Sequence, residues 1–132
     1  MPDHYDPRYL QGIACFNDSD FFEAHEVWEE LWMLCDGESR KFYQGLIQVA
    51  VCLHHFGNGN TRGARKLFHS SSGYLGPYRP WHLGIDLERL LTDLGRCCAD
   101  LVADEENTPK VHLDPTRLPR IHFAETCGGQ RP

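Results

Sequence analysis

Long apolar runs are missing from this chain of 132 residues. No stretch approaches the roughly 20 apolar residues that a membrane-crossing helix requires, so no membrane partner is expected. The first ten residues, Met1 to Leu10, lack a basic segment followed by an apolar one, and no secretory signal is read there. Basic residues are also short. Lys and Arg number 13 against 19 Asp and Glu, a formal net charge of −6, and the basic ones are scattered. The densest group, Arg62, Arg65 and Lys66, reads as a solvated helix face. Nucleic acid is therefore not an expected partner, because neutralising phosphates needs clustered cations. The six cysteines, Cys15, Cys35, Cys52, Cys97, Cys98 and Cys127, contain no CxxC pair. They read as reduced thiols of a cytoplasmic protein, not as a disulfide framework. No GxSxG and no phosphate-cradling glycine loop is present, no repeat or low-complexity tract, and no strict apolar/polar alternation over six residues or more.

What is present is helical periodicity. The composition, 41% hydrophobic and 24% charged, suits one folded domain over residues 1–132, with a core at about 7–103 and a tail from 104 to 132. The pattern predicts a first helix over about Pro7–Phe16 and, after the turn Asn17-Asp18-Ser19-Asp20, a second over about Phe21–Cys35. Asp20 and Glu23 have capping-box spacing, and Gly37 is the expected stop. A third helix is expected over about Glu38–Phe56. A fourth, capped by Asn60, would run through about Ser72. Residues 73–84, with Gly76, Pro77 and Pro80, read as a loop, and a fifth helix is expected over about Ile85–Ala103 with Asp86 near its cap. In the proline-rich tail, Leu118, Ile121 and Phe123 are candidates for docking on the body. Helices joined by loops this short pack as antiparallel neighbours, so the expected fold is all-α: a compact bundle of four to five helices with an extended C-terminal tail.

On the second helix, Phe21, Ala24, Trp28, Leu31, Trp32 and Cys35 form an apolar stripe, while Glu23, Glu26 and Glu30 point away from it. His25 and Glu29 lie on one flank, one turn apart, where an imidazole and a carboxylate can share a metal or bond each other. The third helix is apolar nearly all round. Its exceptions, Gln44, Gln48 and His55, fall on one narrow line, and a buried polar line needs polar partners. The flank carrying His25 and Glu29 is the natural one.

The resulting set offers His25, Glu29 and His55 as ligands for one divalent ion, zinc or iron, with Glu26 or Glu29 as the base that takes a proton from bound water. Glu26 points about 60° further outward than Glu29, which disfavours it as a close base. Gln44, Gln48, Trp28, Asn60 and Asp86 complete the set as binding or supporting groups. The bland reading of each stands beside this one: a helix-stabilising His–Glu pair, a satisfied core histidine, glutamines linking helices, a core tryptophan and two helix caps. The run His25-Glu26-Val27-Trp28-Glu29 has Glu where the zinc motif HExxH has its second His.

The segments FFEAHEVWEELW (Phe21–Trp32), FYQGLIQVAVCLHHFGNGNTRGARKL (Phe42–Leu67) and HLGIDLERL (His82–Leu90) resemble, in order, the bacterial and archaeal family catalogued as domain of unknown function 309. The resemblance covers roughly Tyr9 to Leu101. It implies a small helical protein and carries the label of a predicted metal-dependent hydrolase. Carried over position by position, its pattern singles out His25, Glu26, Trp28, Glu29, Gln44, Gln48, His55, Asn60, Gly63, Gly84 and Asp86, and gives Cys52, Cys97 and Cys98 no role. Two classes of function follow. One is a metal-dependent hydrolase. The other is a binding or interaction module in which the same polar cluster is a structural hydrogen-bond network, acting on a protein partner or as a homo-oligomer. A third, metal-free reading is a small-molecule groove lined by Trp28, Trp32 and Trp81.

Overall fold

A computed structural model describes residues 5–103 and 111–123. Six α-helices occur among them: α1 (Pro7–Asn17), α2 (Phe21–Leu34), α3 (Arg40–Gly57), α4 (Thr61–Leu75), α5 (Leu87–Cys97) and α6 (Ala99–Ala103). The all-helical expectation is borne out. Several helix starts are set by side chains that satisfy orphan backbone N–H groups. The Asp6 carboxylate accepts from Arg8 N with Pro7 in the first position of α1, Asn60 accepts from Gly63 N at α4, and Asp86 accepts from Arg89 N at α5. The capping box expected at α2 does not form. Asp20 stands at the cap, but its side chain makes no capping bond. The turn is held by backbone instead, with Ser19 at φ 66° and Asp20 N donating to Cys15 O at 2.8 Å.

The central layer is α3, packed between α2 and α4, while α1 covers the other side of α2. Two glycines mark the closest approaches. A Cβ at Gly12 of α1 would fall inside the Trp28 indole, and one at Gly45 of α3 would meet Leu75 at 2.6 Å. One cluster of buried residues runs through all of these helices. It includes Tyr9, Phe16, Trp28, Phe42, Leu46, Leu53, Leu75, Leu90 and Leu94, each almost wholly removed from solvent. Trp32 and Cys35, expected in the apolar stripe of α2, are only half-buried, and Cys35 lies just past the end of the helix.

The expected loop over 73–84 and the single helix over 85–103 are both redrawn. α4 continues to Leu75 and passes into a 3₁₀ turn, Gly76–Tyr78. Then β1 (Trp81–His82) and β2 (Ile85–Asp86) pair as a small antiparallel hairpin. Its two-residue turn is Leu83-Gly84, both at positive φ (46° and 82°), the geometry that a tight hairpin demands. Leu83 is held there by Tyr9, whose hydroxyl donates to the Leu83 carbonyl at 2.7 Å. The following helix breaks at Cys98 into α5 and α6.

The C-terminal strand of chain docks as expected. Asn17 at the end of α1 acts as a backbone mimic: Ile121 N donates to its Oδ1 at 2.7 Å and its Nδ2 donates to Ile121 O at 3.0 Å. Ile121 is buried, Phe123 bridges to Ile85, and Leu118 packs against the core.

Candidate functional site

α2 and α3 are joined by residues 35–39 and run antiparallel, which brings Phe22 near His54 and Trp32 near Arg40. His25 and Glu29 meet as the wheel requires, with Nε2 and Oε1 3.7 Å apart. The His25 ring is also tied to its own helix, its Nδ1 donating to the Phe22 carbonyl at 2.9 Å. Glu29 is half-exposed, and Glu26 is exposed on the outer face, as expected from its angle.

His55 is elsewhere. It sits in the last turn of α3, where Asn60 Nδ2 donates to its Nδ1 at 3.4 Å. Burial, and then the neighbouring His54, lower its pKa from the ordinary imidazole value. The line Gln44, Gln48, His55 does not meet the flank of α2 as a bonded cluster. Among the described residues, no hydrogen bond joins either glutamine to His25, Glu29 or His55. The Gln48 Oε1 atom is buried without a partner, as is Trp32 Nε1. In the last turn of α3 it is His54, about 100° round the helix from His55, that faces α2 beside Phe22, while His55 meets Asn60 at the start of α4.

Trp28, Asn60 and Asp86 each make a bond that helps to hold the fold. Trp28 is fully buried and donates from Nε1 to Tyr9 O at 3.2 Å, fixing α2 against α1. Asn60 and Asp86 are helix caps. Among the described residues no group of three or more His, Cys, Asp and Glu side chains is placed to hold a metal ion. The three residues expected to hold one zinc or iron are therefore not brought together: His25 and Glu29 form a pair, and His55 is bonded at another helix end.

Two features escaped the sequence reading. His54, beside the candidate His55 in the sequence, shares the Phe22 ring with His25: the ring centroids lie 5.2 and 5.0 Å from that of Phe22. Asn58 Nδ2 also donates to His54 Nε2 at 3.2 Å. The second is Arg40, whose guanidinium lies 3.8 Å from the Trp32 ring centroid while Nε donates to Cys35 O at 2.9 Å. This cation–π contact clamps the α2–α3 connection. Its signal was the short connection itself, which brings the first turn of α3 back over the last turn of α2.

Three of the thiols are shut away from solvent, while Cys15 and Cys35 are half-buried. Cys52, Cys97 and Cys98 are buried, and Cys52 donates to Ala64 O at 3.2 Å. A bond to Cys98, then burial, hold the Cys97 thiol far above its usual range; a bond to Cys52 does the same first for Cys98. Cys127 lies outside the described residues.

Residues 9–67 match the model of a family described as a domain of unknown function (DUF309). That match ends within α4, before the quoted HLGIDLERL. The uncharacterized protein YpuF of Bacillus subtilis (strain 168) is 37% identical over 91 residues, 66% of this chain and 52% of that protein. An uncharacterized protein of Aquifex aeolicus (strain VF5) is 48% identical over 48 residues, 36% of this chain and 14% of that protein. The matched part thus spans about half of the first relative and a smaller share of the second. No helix among the described residues is long and apolar enough to cross a membrane.

Proposed function

We propose that this chain, whose residues 9–67 match the DUF309 family model, is a non-catalytic interaction module that presents the outer face of α2 to a protein partner. One observation carries the reading. Phe22, Met33 and Leu34, all on α2, are large hydrophobic residues left exposed, at 50%, 70% and 71%. Met33 and Leu34 stand together at one end of α2 and Phe22 at the other, with a row of exposed carboxylates between them.

The chemistry of the partner follows from the pattern. Phe22, Glu26, Glu29 and Met33 share one helical stripe, with Glu23, Glu30 and Leu34 along its edge. The two apolar ends stand about 17 Å apart along the axis, with carboxylates between them. The complement is an amphipathic helix with two apolar anchors about three turns apart and Lys or Arg between them.

The test is a titration of the isotope-labelled chain with a helical peptide of that design, followed by amide chemical shifts. Saturable shifts along the outer face of α2, lost in a Glu26→Lys/Glu29→Lys variant, are expected. Shifts spread over other elements, or none, would count against the reading. Concentration-dependent dimerisation of the chain through the same face would name a second copy as the occupant. The hydrolase reading has its own readout. About one equivalent of zinc or iron in tag-free protein, lost in a His25→Ala/His55→Ala variant that keeps its helices, would overturn the non-catalytic assignment.

A further inference from the structure

Away from α2, the first turn of α3 and the last turns of α4 line an open surface cleft of about 540 Å³, within the size range of small-molecule sites. It exists because α4 runs on to Leu75 and turns back through the 3₁₀ segment, which sets Tyr74, Pro77 and Tyr78 opposite Lys41. Tyr78 is a fixed wall. Its hydroxyl donates to Glu38 O at 2.7 Å, and its ring packs against Phe42 and His82, with centroids 5.4 and 4.6 Å away. Gly73 lines the cleft too, and a Cβ built on it meets nothing within 4 Å.

The other polar groups lining this space are unengaged. Among the described residues Lys41 forms no ion pair, and the hydroxyls of Ser70 and Tyr74 make no hydrogen bond. Lys41 is the one charged lining residue. The cleft thus offers an ammonium, two hydroxyls able to donate, and flat apolar walls from two tyrosines and a proline.

We infer that this cleft binds a small aromatic monocarboxylate, the ring packed between Tyr74, Pro77 and Tyr78 and the carboxylate accepting from Lys41 with Ser70 or Tyr74. A single cation matches a single negative charge. A polyphosphate would meet one lysine in a chain whose formal net charge is −6. The inference is independent of the α2 surface, since the two share no residue.

The test is calorimetric titration of the full chain with naphthalene-2-carboxylate and its neutral amide. Saturable binding of the acid with Kd below about 1 mM is expected, weakened roughly tenfold in the amide and in Lys41→Met, the usual worth of a charged hydrogen bond. Gly73→Leu should fill the cleft and abolish binding while raising the melting temperature, since leucine is the better helix former. That rise separates blockage from misfolding. No saturable binding to the native chain, equal binding of acid and amide, or undiminished binding in Gly73→Leu would each overturn the site.

Discussion

Glycines that look alike in the sequence differ at the residue scale. Gly12 lies where α1 crosses α2, and its missing side chain is what lets the Trp28 indole sit against the helix and bond Tyr9 O. Gly73 is also helical but faces open space. Gly12→Ala is therefore expected to destabilise the fold by about 1–3 kcal/mol, because the extra methyl forces a backbone shift in a packed contact. Gly73→Ala is expected to stabilise it by up to about 1 kcal/mol. Urea unfolding of both variants checks this; equal effects would mean that the close contact is not what Gly12 serves. The candidate site shows the same limit of residue patterns. The i,i+4 pair His25–Glu29 was legible because one helix fixes both side chains. The separation of His55 from that pair was not, because it depended on how two helices meet.

Helix ends make a similar distinction at the scale of elements. Asp20 and Asp86 both stand at helix starts, yet Asp86 Oδ1 accepts from Arg89 N at 3.0 Å and Asp20 makes no such bond. Asp86→Ala is expected to cost about 1 kcal/mol, and Asp20→Ala a few tenths at most. Thermal melts of the two variants decide it, and matching losses would contradict the cap geometry. The first four helices were readable to within about three residues at each end, since their apolar stripes repeat at the helical period. The β1–β2 hairpin was not. Four strand residues around Leu83-Gly84 carry no alternation to read, and the turn is held by Tyr9 from α1 and by Phe123 packed against Gly84.

For the molecule as a whole, the histidines set an acid-side limit. Burial lowers the pKa of His55, with His54 adding to it, and burial lowers that of His82 against an opposing pull from Glu38. A base whose folded pKa lies below its unfolded value binds more protons when unfolded. Its contribution is present above the unfolded value of about 6.5 and is lost as pH falls through the folded one. Stability is thus expected to decline on acidification from pH 7 towards 5, with a shallower slope in His55→Gln. Denaturant midpoints across that range provide the check; a curve unchanged in the variant would remove His55 from the account.

The sequence by itself determined the helical class, the positions of α1 to α4, the Asn60 and Asp86 caps, the docking of Leu118, Ile121 and Phe123, and the likeness to the DUF309 family model over residues 9–67. All of these rest on local periodicity, on bonds spanning three or four residues, or on runs of residue identity. Tertiary structure alone decided that the polar line of α3 does not meet His25 and Glu29, that Trp28 Nε1 bonds Tyr9 O across the α1–α2 contact, and that α4 extends to frame the Lys41 cleft. Each depends on the axial level at which one helix lies against another, which the packing of Gly12 on Trp28 and of Gly45 on Leu75 sets. That level has no signature in the order of residues along either helix.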